Sequence, residues 1–247
     1  MPIYYSIAFA ALFIIQGFTM TMFLRKEIPK QCFNSLIWKM LSSTVFVLTA
    51  VLAICCSKNH SVPAKIMLTG FCLSWLGDFL LSVKSGDKLF FVFGLFSFMT
   101  GHCFYIAAYT KAMMCYFPDA PFMGIAEMIA YVLFISAALY SLSLLKVEFG
   151  EAYLPCLIYM SVIGVMLVKA FSLAIRIISQ NATENPVFTG ITLMCGAIMF
   201  VFSDYTLSML IFKKDIKKHG TLRNLNMGTY FYGQMLLALT LLYIIPA

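Results

Sequence analysis

The stretch IMLTGFCLSWLGDFLLSV, residues 66–83, contains a single ionisable acid, Asp78, in an otherwise apolar run. A helix that crosses the hydrocarbon core of a bilayer needs about 20 mostly apolar residues, and this run is close to that length. Outward from it in both directions the pattern repeats. Comparable runs fall near residues 3–24, 34–56, 89–110, 122–145, 153–175, 187–212 and 227–246. With residues 66–83 they make eight expected spans, joined by connections too short to hold a separate soluble domain. The expected fold class is all-α: a polytopic transmembrane bundle of eight helices, with residues 1–247 forming a single integral membrane domain.

Composition points the same way. The chain is 62% hydrophobic and 11% charged, whereas soluble domains are nearer half apolar and a quarter charged. So few polar side chains could not cover a water-facing surface, but a bilayer solvates apolar faces. Met1 to Tyr5 lacks the basic segment of a signal peptide and the first apolar run is long enough to span, so no cleavable signal is expected. The eight cysteines fall mostly within spans and no CxxC occurs. They read as buried thiols packing as small hydrophobes, with neither a disulfide framework nor a metal site.

Basic residues set an expected orientation. Lys58, Lys65, Lys111 and Arg176 fall on one side. Arg25, Lys26, Lys30, Lys84, Lys88, Lys146, Lys213, Lys214, Lys217, Lys218 and Arg223 fall on the other. The richer side is cytoplasmic by the positive-inside rule, which leaves both termini non-cytoplasmic. The net charge of +7 is mostly this asymmetry. It suits anionic membrane lipid and not nucleic acid, because the charges sit at helix ends and form no continuous patch. A bacterial inner membrane and an endoplasmic reticulum membrane fit equally. The sequon Asn181-Ala182-Thr183 falls on the expected outer side.

An ionisable residue inside a span costs at least ~2.5 kcal/mol at the helix centre and is a functional candidate by default. The candidates are Asp78, Asp204, His102, Lys39, Lys169 and Glu127. Asp78 lies ~8 Å from the cytoplasmic end of its span, and Asp204, in FVFSDYTLSML at residues 200–210, lies roughly 12 Å from the same end. The two acids therefore share a depth. Tyr230 and Gln234 on the last span reach a similar level, Lys39 enters from that face, and His102 is deeper, at about 20 Å. Lys169 is expected to snorkel toward the outer interface. Glu127 is expected to sit in a first helical turn, where the dipole favours an anion. Gly77-Asp78-Phe79-Leu80-Leu81 and Ser203-Asp204-Tyr205-Thr206-Leu207 occur four spans apart and hint at a parallel repeat.

LSWLGDFLL (73–81), GLFSFMTGHCFYIAAY (94–109), CGAIMFVFSDYTLSML (195–210) and GTYFYGQMLLAL (228–239), taken together and in this order, resemble the YhhN-type lysoplasmalogenase family of eight-span membrane proteins. The second span also resembles the family's start, through Lys39, although Met40 stands where the family often has Pro. The resemblance implies a hydrolase that cleaves the vinyl ether bond of lysoplasmalogens. A lysophospholipid substrate would give a fatty aldehyde and glycerophosphoethanolamine or glycerophosphocholine.

Such chemistry suits the residues. Vinyl ethers hydrolyse by protonation of the carbon distal to oxygen, and water captures the resulting oxocarbenium ion. A proton donor, an anion and a placed water are needed, and two carboxylates supply the first two, as in glycosidases. Asp78 and Asp204 are the catalytic candidates, expected to hold one proton between them, and which is the acid stays open. Ser74, Ser203, Tyr105, Tyr230 and Gln234 are supporting candidates. His102 either relays a proton or bonds across helices, and Lys39 is placed to meet the substrate phosphate. No metal or organic cofactor is called for. His60, His102 and His219 are too dispersed to converge on zinc. The Gly-x-Gly-Asp arrangement of an intramembrane aspartyl protease is absent. A transporter or lipid sensor without hydrolytic activity is the rival reading, and it lacks the expected pair of Gly/Pro-broken helices.

Overall fold

The computed structural model describes residues 3–27, 33–83, 87–213 and 220–244. Eight α-helices carry the fold: α1 (Ile3–Glu27), α2 (Phe33–Ser57), α3 (Val62–Val83), α4 (Lys88–Tyr116), α5 (Ile125–Leu144), α6 (Tyr153–Gln180), α7 (Pro186–Phe212) and α8 (Gly220–Leu239). Single 3-10 turns precede α6 (Gly150–Ala152) and follow α8 (Thr240–Leu242). The eight-helix, all-α bundle anticipated from the apolar runs is the fold observed, with no strand among the described residues. Lys30, Lys84, Lys214, Lys217, Lys218 and His219 lie outside the described residues.

α1 to α7 are each long and apolar enough to cross a membrane. α8 differs because it opens on the polar run Gly220-Thr221-Leu222-Arg223-Asn224. It has the lowest mean hydropathy of the eight for a physical reason: it sits inside the bundle, packed against α1, α2 and α7, and faces little lipid. The carbonyls at its far end are satisfied by Asn59, whose Nδ2 donates to Leu241 O at 3.1 Å and Ile244 O at 2.8 Å.

Local signals explain the ends. Asp87 caps α4, its carboxylate accepting from Leu89 N and Phe90 N. Pro186 occupies the first turn of α7, where its missing N–H costs nothing. Asn181 ends α6 in the left-handed conformation (φ 51°), its N–H bonded to Ile177 O. Cross-contacts fix the helix directions. Lys88 at the start of α4 meets Glu151 just before α6 at 3.2 Å, and Asn59 after α2 meets the chain after α8. α1, α3, α5 and α7 therefore finish at one end, called the basic end below.

Two expectations change. Cys55, Cys72, Cys103, Cys115 and Cys195 are exposed, not buried. On a lipid-facing wall a small apolar thiol is as well solvated as in a core, so burial gives it no advantage. Lys169 does not reach for an interface either: it is 2% exposed, and its Nζ donates to Glu127 Oε2 at 2.9 Å and lies 4.7 Å from the Phe122 ring centroid. Glu127 accepts from Gly124 N as well, so the first-turn placement holds and the carboxylate caps α5 while neutralising Lys169.

The faint duplication has a geometric counterpart. α3 and α4 cross where Gly70 and Gly101 meet, and a Cβ on either would lie 3.1 Å from the other's carbonyl oxygen. α7 and α8 cross where Gly196 and Gly233 meet, at 3.1 and 3.2 Å by the same measure. Small residues allow backbones this close within a membrane. Gly70 precedes Asp78, and Gly196 precedes Asp204, by the same number of residues. Packing partners correspond too. α2 packs on α3 and α8, and α6 packs on α7 and α4. The glycine spacings and packing partners of α1–α4 and α5–α8 thus correspond, as a parallel repeat would require.

Candidate active site

α3 carries Asp78 two turns beyond the Gly70 crossing, and among the described residues its carboxylate is met by donors. Ser43 on α2 donates to Oδ2 at 2.6 Å, and Tyr230 on α8 donates to the same oxygen at 2.6 Å. Lys39 Nζ lies 3.3 Å from Oδ1. Lys39 and Ser43 are one turn apart on α2, so both reach the same side of the helix. Asp78 is 2% exposed and Lys39 7%. The ammonium is thus paired with Asp78, where headgroup level and a substrate phosphate were expected. A buried lysine without an anion would be too costly, and Asp78 is the anion within reach.

Asp204 on α7 has a different setting. Tyr159 on α6 donates to its Oδ2 at 2.7 Å. His102 Nε2 lies 3.8 Å from the same oxygen and 3.3 Å from the Tyr159 hydroxyl. The imidazole is 1% exposed, stands edge-on to Phe200 at 4.6 Å between centroids, and has no partner for Nδ1 among the described residues. The Asp204 side chain keeps 15% of its surface accessible.

The supporting candidates divide. Tyr230 holds Asp78 and is packed between Phe46, Phe98 and Phe200 at 5.5–6.1 Å between centroids. Ser203 is buried and turned to α8, where Asn226 Nδ2 donates to its backbone O at 2.6 Å and to Oγ at 3.0 Å. Tyr105 donates to Gln234 Oε1 at 2.9 Å, and Ser74 hydrogen-bonds Tyr105. Ser74, Tyr105 and Gln234 therefore form a buried strap between α3, α4 and α8 behind the acids, away from the cavity wall.

One cavity of about 590 Å³ brings the acids together. Asp78 and Asp204 both line it, with Lys39, Tyr159, Ser203, Asn226 and Tyr230 as the other polar groups near them. Its remaining wall is mostly apolar and comes from α4, α5, α6 and α7, from Phe98 and Phe134 to Ile163 and Leu167. At the basic end, Phe91, Phe149 and Phe212 line it as an aromatic cluster, with Phe149 and Phe212 4.9 Å apart between centroids. The volume and the few convergent polar groups are those of a small-molecule site. Each carboxylate has its own donors, Ser43, Tyr230 and Lys39 for Asp78 and Tyr159 for Asp204. Among the described residues no cluster of His, Cys, Asp or Glu is arranged to hold a metal ion.

Ser43, Tyr159 and Asn226 were not singled out from the sequence. Ser43 carried a signal, one helical turn after Lys39. Tyr159 and Asn226 carried none beyond being polar in or beside a span.

Residues 34–241 match the model of the YhhN family, a stretch that runs from the start of α2 to the turn after α8. No curated protein matches the chain, and no solved structure does.

Proposed function

The chain belongs to the YhhN family, and on that premise we propose that it is a lysoplasmalogenase-like ether hydrolase of the membrane. Its substrate is a lysophospholipid carrying a vinyl ether, and its products are a fatty aldehyde and a glycerophosphodiester alcohol. The observation that carries this reading is an apolar cavity lined by two carboxylates, one from α3 and one from α7.

The reaction needs a proton delivered to a carbon, then an anion close to an oxocarbenium ion, then a water. In an apolar cavity an anion stabilises a developing cation far more strongly than it would in water. The walls suit an alkenyl chain, which gains about 0.8 kcal/mol per buried methylene. The acids sit nearer the basic end, so a glycerophospho group would project toward that interface while the chain occupies the apolar remainder. Tyr230 and Asn226 line the wall beside the acids, and a water there would be oriented by the Asn226 amide.

The test is aldehyde release by purified protein in detergent. Choline and ethanolamine lysoplasmalogens are the substrates, and the saturated ether lipid is the control. Aldehyde from the vinyl ethers and none from the saturated ether is expected, because the saturated ether forms no oxocarbenium ion on protonation. Aldehyde release no faster than from empty detergent micelles would remove the proposal.

A further inference from the structure

We infer that Asp204 alone carries the catalytic proton, and that Asp78, its counterpart in the other half of the chain, is an ion-paired anchor. The inference rests on the vinyl ether reading above and divides the labour within it.

The two halves present their acids equivalently. Each follows the glycine crossing of its helix pair by the same spacing. Each takes a donor from the preceding helix: Ser43 and Lys39 on α2 for Asp78, Tyr159 on α6 for Asp204. Each also meets a group from the last helix of the other half: Tyr230 on α8 for Asp78, His102 on α4 for Asp204.

The halves differ in what closes over the acid. α1 packs on α2 and also on α8, which seals the first half. α5 packs on α6 but makes no comparable contact with α4. The cavity fills that missing contact, with Phe134, Ala138 and Leu142 of α5 facing Phe91, Leu95 and Phe98 of α4 across it. Asp204 is therefore the acid left open.

Partner chemistry agrees. Two hydroxyls and an ammonium all donate to Asp78. A proton there would displace a donor and strand the charge of Lys39. Asp204 accepts from one hydroxyl, on Oδ2. Its Oδ1 accepts no hydrogen bond among the described residues and can carry a proton toward the cavity.

The step balances. Asp204 Oδ1–H gives its proton to the vinyl carbon distal to oxygen. The C=C electron pair forms that C–H bond and leaves the oxocarbenium ion beside the new carboxylate. Water adds to the cationic carbon and returns a proton to Asp204. The hemiacetal then collapses to aldehyde and glycerol hydroxyl. Tyr159 is a positioning residue, holding Oδ2 so that Oδ1 faces the substrate.

The experiment measures kcat and KM for aldehyde release from a choline lysoplasmalogen by four variants, each checked for monodispersity and melting in detergent. Asp204→Asn is expected to lose ~10²–10⁴-fold in kcat, the range of general acid–base catalysis. The pair Lys39→Met with Asp78→Asn removes both charges together and is expected to lose at least about tenfold less kcat than Asp204→Asn, because removing a buried ion pair whole leaves no uncompensated charge. Asp78→Asn alone strands Lys39 and is expected to melt lower than the double variant. Tyr159→Phe is expected to lose ~10–100-fold in kcat with KM unchanged, the worth of one hydrogen bond to a charged group. The inference is overturned by a monodisperse double variant as inactive as Asp204→Asn, or by wild-type kcat in Asp204→Asn. If the double variant does not fold, an unchanged kcat in Tyr159→Phe overturns it and the stated loss sustains it. Wild-type protein that releases no aldehyde takes the functional reading down as well, which separates the two failures.

Discussion

Lys39 and Asp78 form an ion pair, Nζ to Oδ1 3.3 Å, with side chains 9% and 3% exposed. Burying two charges is costly, and breaking such a pair by removing one partner typically costs about 3–5 kcal/mol, because the survivor stays buried and uncompensated. Lys39→Met and Asp78→Asn should therefore each lower the melting temperature, with a combined loss well short of additive. A double-variant cycle on thermal unfolding in one detergent measures the coupling. Simple additivity would mean that the two groups do not compensate each other.

A second buried pair, Lys169 with Glu127, ties the start of α5 to α6 at the end opposite the acids. α5 lines the cavity but has little other support. Glu127→Gln leaves the ammonium of Lys169 without its anion and should loosen that wall. The expected result is a several-fold rise in KM, with kcat changed less than KM, read from the same aldehyde assay. A kcat loss at constant KM would place Glu127 in the chemistry instead.

The glycine crossings make a stability prediction. A Cβ at Gly70 would meet Tyr105 Cε1 at 2.5 Å, and one at Gly196 would meet Leu237 Cδ2 at 2.8 Å and Gly233 O at 3.1 Å. Gly70→Ala and Gly196→Ala should each cost about 1–3 kcal/mol, the usual range for overpacking. Gly228, with nothing within 4 Å of a Cβ, is the control and should tolerate Ala. Melting temperatures of the three variants decide it. Equal values would deny the close approach.

The fold was legible because a bilayer forces each span to announce itself as a long apolar run, and α1 to α7 fall where those runs do, whereas α8 begins at Gly220, ahead of the run expected near 227–246. Asp78 and Asp204 were legible for the complementary reason: an acid in such a run is costly enough to demand a use. Partners were harder to read. The four-carbon stem of Lys39 could reach headgroup level or Asp78, and only the packing of α2 on α3 decides between them. Tyr159 looks like any tyrosine in an apolar helix until α6 is set against α7. The short Gly-Asp and Ser-Asp matches were a faint hint of a repeat. The stronger signal was the equal spacing of Gly70 to Asp78 and Gly196 to Asp204, which gains meaning once both glycines are seen at helix crossings. No pattern in α5 foretold that it would stand off α4, because lipid-facing and cavity-facing apolar residues are the same residues.

That last point gives a direct test of the cavity. Ala138 on α5 lines it and is partly exposed, so a larger side chain there can grow into empty space without being driven into packed neighbours. Ala138→Phe should therefore fold with an unchanged melting temperature while displacing part of the alkenyl chain. Each methylene denied its contact forfeits about 0.8 kcal/mol, so losing two should raise KM by roughly tenfold. Shorter-chain substrates should suffer less than long ones, because their tails do not extend past the obstruction. A chain-length series on wild type and Ala138→Phe measures this. Equal KM changes at every chain length would mean that the alkenyl chain lies elsewhere, outside the space between α4 and α5.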